Sequence, residues 1–233
     1  NQRFAASCNS GVQAAQGDVV VLLNSDVQPE KGFLSPLINN FRDKTVFAVG
    51  CLEKDGQKIS GRGKMSFKKG LVLHWRAKDQ HQKTTDWATG GSSAFDRRKW
   101  LAIGGMDILF RPAYEEDRDL SYRALKHGWQ VLFEPKSVVQ HHHETTNVRI
   151  FGKPMMKTAS FKNQFLFVWK NITDTRYLFS HLFWLPYHLL WTNLKTRGLL
   201  GIGFLWALGQ LPELLRQRRK VRGLFVKPDK ELI

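Results

Sequence analysis

Three clusters in this sequence carry the side chains that could perform acid-base or metal chemistry. Asn24, Ser25 and Asp26 directly follow a run of apolar residues that ends at Leu23. Residues 115–119 read Glu-Glu-Asp-Arg-Asp, and histidines occupy positions 141–143. Carboxylate and imidazole groups bind divalent cations, and a carboxylate can also accept a proton from a reacting hydroxyl group.

Each cluster also has an ordinary structural explanation. An Asp after a strand often forms a turn, acidic residues are stabilised in the first turn of a helix, and a histidine triplet is often an exposed loop. Packing several carboxylates together, however, raises the pKa of some and leaves others ionised, as a general base requires. Only His141 and His143 of the triplet can share a face, because alternate residues of an extended segment point to opposite sides. No single cluster decides between the structural and the chemical explanation.

The apolar pattern places the first cluster at the end of a strand. It predicts a helix over 4–16, then a buried parallel strand over 19–23 that is covered on both faces. Helical spacing resumes over 33–41, and a second short buried strand is predicted over 46–50. This alternation predicts an α/β layered sheet, a fold class that binds ligands at the carboxyl ends of its strands.

The other two clusters follow a less regular segment. Residues 52–85 are polar, basic and rich in glycine, which predicts hairpins or an irregular excursion. A helix is predicted to start near Asp96, whose side chain can cap it, and another over 120–127. A strand is predicted from 129 to 133, ending at Pro135.

The last part of the chain differs in character from the rest. Residues 149–233 hold 15 basic and 4 acidic residues, so most of the net charge of +16 lies there. Apolar helices are predicted over 177–191 and 199–215, but histidine, proline, glutamine and glutamate residues interrupt them. We therefore expect helices that lie on an anionic membrane surface rather than span it. A helical subdomain packed on the rest of the protein is the alternative.

The composition and the start of the sequence bear on the expected partners and cellular compartment. The positive charge would suit nucleic acid, but no helix-turn-helix, zinc-finger or RNA-recognition signature is present, so we expect no nucleic-acid partner. Cys8 and Cys51 are too few for a disulfide framework, which favours a reducing compartment. The chain starts at Asn1 with no signal-peptide pattern, so we expect a cytoplasmic protein and a sequence that is a fragment.

Taken together, the motifs and their order resemble a family 2 glycosyltransferase with the GT-A fold. The resemblance covers about residues 1–145. The motifs that carry it are Asn9-x-Gly11, Leu23-Asn24-Ser25-Asp26, Gly90-Gly91-Ser92-Ser93, Gly104-Gly105-Met106-Asp107, Glu116-Asp117-Arg118-Asp119 and Val138-Val139-Gln140-His141. The resemblance implies a GT-A sheet flanked by helices. It also implies that the first βαβ unit, which grips the nucleotide base in the family, is lacking before Asn1.

The resemblance implies a role for each motif. Asp26 resembles the last Asp of the family's Asp-x-Asp metal motif, with Asn24 at its first position. His141 resembles the later histidine that completes a Mg²⁺ or Mn²⁺ site, with His143 as the fallback, and Asp117 resembles the catalytic base, with Glu116 as the alternative. Donor binding is assigned to Asn24, Ser25, Asn9 and Gly11. Contacts to the acceptor or the donor sugar are assigned to Gly90, Gly91, Ser92 and Asp107.

The resemblance also implies what the protein does. Residues 1–148 are predicted to be a partial catalytic domain and residues 149–233 a helical, membrane-associated region. The expected activity is inverting transfer of a hexose or deoxyhexose from a nucleotide-sugar donor to a saccharide or lipid-linked saccharide acceptor. Cell-envelope polysaccharide assembly, on the inner face of the cell membrane, is the expected setting. The alternative is a degenerate, membrane-associated protein that binds sugar nucleotide without turnover.

Overall fold

Runs of apolar residues form a mixed sheet in the computed structural model, which describes residues 3–141 and 146–233, with side chains for 3–141 and 149–233. The strands are β1 (Val19–Leu23), β2 (Val27–Pro29), β3 (Val46–Asp55), β4 (Lys58–Ser60), β5 (Gly63–Lys68), β6 (Leu71–Arg76), β7 (Ser92–Asp96) and β8 (Gln130–His141). The main sheet has the order β1-β7-β3-β8-β2, with β4 also paired to β3, while β5 and β6 form a separate hairpin. Strands β3 and β8 run parallel, and the other neighbours are antiparallel.

Helices cover the two faces of this sheet, which confirms the predicted α/β class. They are α1 (Arg3–Ala14), α2 (Leu34–Asn39), α3 (Arg97–Ala102), α4 (Glu116–Lys126), α5 (Thr146–Phe151), α6 (Lys153–Asn171), α7 (Thr175–Tyr187), α8 (Asn193–Lys195), α9 (Leu199–Gly209) and α10 (Leu211–Arg222), with a π-helical turn at His188–Thr192 between α7 and α8. Val12, Trp100 and Leu120 bring α1, α3 and α4 against one face of the sheet. Leu37 brings α2 against the other face.

The position of β1 corrects the sequence prediction. Instead of a parallel strand covered on both faces, β1 lies at an edge of the sheet and pairs antiparallel with β7, with Val21 opposite Ala94. Leu23, the last residue of β1, is 39% exposed. An apolar run predicts a strand, but the burial, direction and neighbours of that strand depend on a partner strand that comes much later in the chain.

Strand β8 also corrects a prediction, because it does not end at Pro135. Its pairing with β3 passes from Cys51 opposite Glu134 to Leu52 opposite Val138, so the segment from Pro135 to Ser137 forms a bulge. A bulge tolerates proline because the extra residues leave the hydrogen-bonded ladder. The strand then continues to His141, which places this histidine at the edge of a cleft.

Two helix starts relate directly to the predictions. Asp96 caps α3 as predicted, since its Oδ1 accepts a hydrogen bond of 2.9 Å from the backbone N–H of Lys99. Helix α4 begins at Glu116, earlier than the predicted start at 120, so the acidic cluster lies in and just before its first turn.

The C-terminal helices share a hydrophobic core with the sheet-bearing part of the chain. Buried Phe110 and Tyr122 pack in one cluster with Phe165 and Leu166 of α6 and Leu214 of α10. The division at residues 148 and 149 stays a prediction, and this shared core indicates that the two regions fold together. Among the described residues, no helix has both the length and the apolar character needed to cross a membrane.

Helices α6 and α9 touch through their backbones. A Cβ atom at Gly203 of α9 would lie 2.8 Å from the carbonyl oxygen of Thr158 and 2.9 Å from the backbone nitrogen of Lys162. Such distances are shorter than ordinary packing contacts, so a side chain at this position would force the two helices apart.

The end of the chain is anchored to α4 by Asp229. Its buried carboxylate accepts hydrogen bonds from Tyr122 Oη at 2.7 Å and from Lys126 Nζ at 2.8 Å. It also accepts from the backbone N–H groups of Thr173 and Asp174, both at 2.7 Å. The last residues of the chain are therefore tied to the helix that carries the acidic cluster.

Candidate active site

Asn24, Ser25 and Asp26 form the turn between β1 and β2. The backbone N–H of Asn24 donates to the carbonyl oxygen of Gly91 at 2.9 Å, and the N–H of Val27 donates to the carbonyl oxygen of Asn24 at 3.0 Å. This turn reverses the chain so that β2 can pair with β8, with Val27 opposite His141. Asp26 is thereby placed next to His141.

Asp26 and His141 face each other across this strand pair. The Oδ2 atom of Asp26 lies 3.7 Å from Nε2 of His141. The imidazole is buried, whereas the Asp26 side chain is 23% exposed. One oxygen and one nitrogen are therefore presented side by side, with access from solvent on the Asp26 side.

Glu53 lies behind His141 and was not identified from the sequence. Its Oε2 is 3.7 Å from Nδ1 of His141 and 3.3 Å from Nη2 of Arg76, and its Oε1 accepts a hydrogen bond from the hydroxyl of Ser92. Burial would raise the pKa of this carboxyl, but His141, Arg76 and Ser92 outweigh it and lower the pKa to about 2. The nearby Glu53 carboxylate in turn raises the pKa of His141.

The acidic cluster occupies the N-terminus of α4. Glu115, with a φ of +112°, precedes the helix and forms two hydrogen bonds with Arg118, at 2.7 and 2.9 Å. Glu116 is buried, and this burial together with the neighbouring Asp117 raises its pKa to about 8. Asp117 is half-buried at the cleft, where its Oδ2 accepts a hydrogen bond of 3.3 Å from the N–H of Gly90. With a pKa of about 8, the Glu116 carboxyl is largely protonated at neutral pH.

A cleft of about 620 Å³ brings the clusters together. Residues from all three predicted clusters line it, along with side chains from β6 and from the segments before β7 and α4. The lining side chains and glycines include Asn24, Ser25, Asp26, His74, Trp75, Arg76, Trp87, Gly90, Gly91, Tyr114, Glu116, Asp117, Arg118 and His141. This volume is sufficient for a small polar ligand.

Aromatic and cationic groups meet in one wall of the cleft. Trp75 and Tyr114 are about half exposed, at 48% and 50%. The guanidinium carbons of Arg76 and Arg118 lie 5.5 and 5.7 Å from the centre of the Trp87 ring. Exposed aromatic rings can stack on planar or sugar groups, and guanidinium groups favour phosphate oxygens.

The residues present fit a divalent cation held by two protein ligands. Within 3–141 and 146–233, no group of three or more His, Cys, Asp or Glu side chains is arranged to hold a metal. Cations that bridge diphosphate oxygens use one or two protein carboxylates and complete their shell with the nucleotide and water. Asp26 offers one such carboxylate, and the imidazole of His141 beside it offers a nitrogen ligand. His143, the predicted fallback ligand, lies outside the described residues.

The two glycines at the cleft serve a packing role. A Cβ atom at Gly91 would lie 2.4 Å from Nδ2 of Asn24, and one at Gly90 would lie 2.9 Å from both Phe4 and Met106. The groups that approach these two glycines closely are therefore protein side chains, and the substrate contacts assigned to the glycines stay a prediction.

Four of the predicted site residues do not line this cleft. Asn9 exchanges two hydrogen bonds with the backbone of Met106, at 2.7 and 2.9 Å, and lines a different cavity. Gly11 lies on α1, with nothing within 4 Å of an added Cβ. Asp107 pairs with Lys170 at 2.7 Å, and Ser92 is fully buried against Glu53. The hydrogen-bonding groups of Asn9, Asp107 and Ser92 are occupied within the protein.

Sequence reasoning missed His74, Trp75, Arg76 and Tyr114 as well as Glu53. A signal was available for Glu53, an acid that immediately follows the strand-like run 46–52. His74, Trp75 and Arg76 belong to a segment without a clear period, so nothing local assigned them to a site.

Comparisons with known proteins match the sheet-bearing part of this chain. The family described as "Glycosyltransferase like family 2" matches residues 4–156. A pre-mycofactocin glycosyltransferase of Mycobacterium tuberculosis is 29% identical over 145 residues, which are 60% of this chain and 30% of that protein. A probable N-acetylgalactosaminyltransferase 9 of Caenorhabditis elegans is 27% identical over 150 residues, 57% of this chain and 26% of that protein. The chain thus spans about a third or less of the length of these relatives.

Two solved structures are similar in fold. GalNAc-T7, crystallised with UDP, GalNAc and Mn²⁺, superposes with a TM-score of 0.55 at 18% identity, covering 72% of this chain and 34% of that chain. The mannosyltransferase PcManGT of Pyrobaculum calidifontis, in complex with GDP-Man and Mn²⁺, superposes with a TM-score of 0.50 at 14% identity. This superposition covers 91% of this chain and 55% of that chain. At these identities the similarity identifies the fold.

Proposed function

Because this chain belongs to glycosyltransferase-like family 2, we propose that it transfers a sugar from a nucleotide-sugar donor to an acceptor hydroxyl, with inversion and with help from Mg²⁺ or Mn²⁺. The observation that carries the proposal is that one cleft is lined by the Asp26 and His141 pair and by Asp117. The Asp26 and His141 pair can therefore lie near the leaving group, while Asp117 lies near the attacking hydroxyl in the same cleft.

Asp26 and His141 would hold the cation. When bound, such a cation neutralises the negative charge that develops on the departing diphosphate. Glu53 would keep the His141 ring in place through Nδ1, leaving Nε2 directed at Asp26. Arg76 and Arg118 add positive charge in the same cleft.

Asp117 would act as the general base. It would take the proton of the acceptor hydroxyl as the oxygen attacks the anomeric carbon and the bond to the diphosphate breaks on the opposite side. One displacement of this kind inverts the configuration. Glu116 suits the role less well, because it is buried and its raised pKa of about 8 keeps it largely protonated at neutral pH.

The finer proposals concern the substrates and the location. We propose a hexosyl or deoxyhexosyl donor and a saccharide or lipid-linked saccharide acceptor, used in cell-envelope polysaccharide assembly at the cytoplasmic face of the cell membrane. The positive charge of 149–233 supports this location, because anionic lipids attract clustered Lys and Arg.

The test is the release of nucleoside diphosphate from a panel of UDP-, GDP- and dTDP-sugars with Mn²⁺, Mg²⁺ or EDTA. Asp117→Asn is compared with Asp18→Asn, an 85% exposed carboxylate outside the cleft, as the matched control. We expect metal-dependent release that Asp117→Asn abolishes and Asp18→Asn preserves. Metal-dependent donor binding without release for any acceptor would instead support a non-catalytic sugar-nucleotide-binding protein.

A further inference from the structure

Helices α7 to α9 expose an unusual amount of apolar surface. The helical rod from α7 through the π-helical turn to α8 spans 175–195, and α9 follows after a short turn. Six apolar side chains on the rod and on α9 point outward and are between 61% and 77% exposed. We name this surface the apolar ridge; it consists of Phe179, Leu182, Phe183, Leu190, Leu194 and Leu205.

Five of the six ridge residues form one face of the rod, and Leu205 lies on α9. The ridge residues on the rod recur at steps of three, four and seven, which place them on the same side of a helix. The opposite side is fixed to the protein by two buried histidines: Nδ1 of His181 lies 2.6 Å from the carbonyl oxygen of Gly70, and Nε2 of His188 lies 2.8 Å from that of Lys69. Apolar residues of the rod such as Leu185 and Leu189 also pack inward on the core, so the rod has apolar groups on its outer side as well as its inner side, unlike an ordinary surface helix.

Positive charge and amphipathic aromatic rings border the ridge. Lys195 Nζ lies 5.2 Å from the centre of the Trp191 ring, and Lys69 Nζ lies 5.3 and 5.4 Å from the rings of Trp184 and Tyr187. The sequence has no Asp or Glu between Asp174 and Glu213. Trp, Tyr and Lys are the residues that favour the boundary between lipid chains and headgroups, and anionic headgroups attract the lysines.

We propose that the apolar ridge docks into the interface of an anionic lipid bilayer. The length of the rod and the interrupting polar residues suit a helix that lies in the membrane plane, where its apolar face enters the boundary between headgroups and acyl chains. A second copy of this chain fits the ridge poorly, because it would bring another net charge of +16 against a rim that is itself basic.

The ridge is linked to the cleft by the β5–β6 hairpin. The tip of the hairpin, Lys69 and Gly70, contacts the inner side of the rod, while Trp75 and Arg76 at its other end line the cleft. Strands of six residues extend about 20 Å, so the cleft lies within about that distance of the docked rod. Given the proposed transferase function, the acceptor would be a saccharide carried by a lipid in the same bilayer.

The membrane test uses flotation of the protein with vesicles. Wild type is compared with the triple variant Leu182→Gln, Phe183→Gln, Leu194→Gln. The matched control is Ile59→Gln with Val226→Gln, two apolar residues that are 55% and 72% exposed outside the ridge. We expect wild type and control to float with phosphatidylcholine vesicles that contain phosphatidylglycerol, and the ridge variant to lose at least about tenfold in partitioning. Lys195→Glu with Arg197→Glu should remove the preference for anionic vesicles.

Two outcomes would overturn the proposal. One is undiminished flotation of a ridge variant whose circular dichroism and unfolding match those of wild type. The other is a wild-type protein that floats neither with these anionic vesicles nor with vesicles of phosphatidylcholine alone but self-associates through the ridge. In that case the triple variant would sediment as a smaller particle than wild type.

A second readout separates this proposal from the proposed function. If both hold, the ridge variant keeps nucleoside diphosphate release with a water-soluble acceptor and loses transfer to a vesicle-embedded acceptor. Flotation with vesicles but no release of nucleoside diphosphate from any donor would support membrane docking and refute the proposed transferase function. Release of nucleoside diphosphate without flotation would support the transferase function and refute membrane docking.

Discussion

The Nε2 atom of His141 lies 3.7 Å from the Oδ2 atom of Asp26 because β2 and β8 pair with Val27 opposite His141. The two residues come from opposite ends of the sheet-bearing sequence. Their proximity depends on the bulge around Pro135, which lets β8 continue far enough to carry His141 to the turn after β1. Backbone pairing therefore fixes His141, and the turn directly before the paired residue Val27 places Asp26 beside it.

The first prediction concerns these ligands. Asp26→Asn and His141→Ala should each weaken Mn²⁺ binding in the presence of nucleoside diphosphate by at least about tenfold, since each removes one of two protein ligands. Electron paramagnetic resonance of free Mn²⁺ measures this directly. His81→Ala, an exposed imidazole outside the cleft, is the control. Unchanged affinity in both ligand variants would refute the assignment.

The second prediction concerns Glu53. Glu53→Gln keeps the shape of the side chain but removes the charge that faces Nδ1 of His141, so we expect about ten- to a hundredfold weaker Mn²⁺ binding. Asp55→Asn, at the exposed end of the same strand, should leave binding unchanged. Equal affinities for the two variants would mean that Glu53 serves the fold alone.

The third prediction separates the base from the cation site. Asp117→Asn should lower kcat by about 10²- to 10⁴-fold, the usual contribution of a general base, while Mn²⁺ binding stays as in wild type. Glu116→Gln should lower kcat much less, because a protonated carboxyl accepts no proton. Steady-state kinetics and Mn²⁺ titration on the same preparations test both statements. The reverse order of the two effects would make Glu116 the base.

The fourth prediction concerns pH and stability. Burial and Asp117 raise the pKa of Glu116 from 4.5 to about 8, so between these values the folded protein holds a proton that the unfolded chain has released. Glu116 therefore lowers the free energy of unfolding progressively as the pH rises from 4.5 to about 8, and this destabilisation stays constant at higher pH. Glu116→Gln removes this destabilisation. The difference in Tm between the variant and wild type should therefore grow in favour of the variant as the pH rises from 4.5 to about 8. Glu213→Gln, at an exposed carboxyl whose pKa is lowered, should show no such increase.

The fifth prediction concerns the anchored end of the chain. Asp229→Ala leaves the buried Lys126 ammonium without its carboxylate, and we expect a loss of about 3–5 kcal/mol in the free energy of unfolding. Chemical denaturation measures the loss, and Lys230→Ala, at an exposed neighbour, is the control. A loss no larger than that of the control would show that the anchor contributes little.

Local patterns predicted those features that local forces decide. The cap at Asp96 and the strand from Val19 to Leu23 follow from residue type and short spacing, and both are present. The direction of β1, the extension of β8 beyond Pro135 and the position of Glu53 behind His141 depend on pairing between distant strands. Single-sequence patterns do not contain that pairing.

The candidate site shows the same division. Asp26, Asp117 and His141 stand in motifs whose order in the sequence is informative, and all three line the cleft. Asn9 also stands in a motif, yet its amide binds the backbone of Met106. A motif position alone does not tell whether a polar side chain faces a ligand or braces a turn.

The contact at Gly203 has a consequence for how the protein would search for its acceptor. Because the backbones of α9 and α6 are in contact there, α9 and the rod connected to it are held against rolling or sliding on the body of the protein. A bilayer that holds the ridge would thus hold the cleft at one height and one tilt, and diffusion toward the acceptor would become a two-dimensional search with the orientation already set.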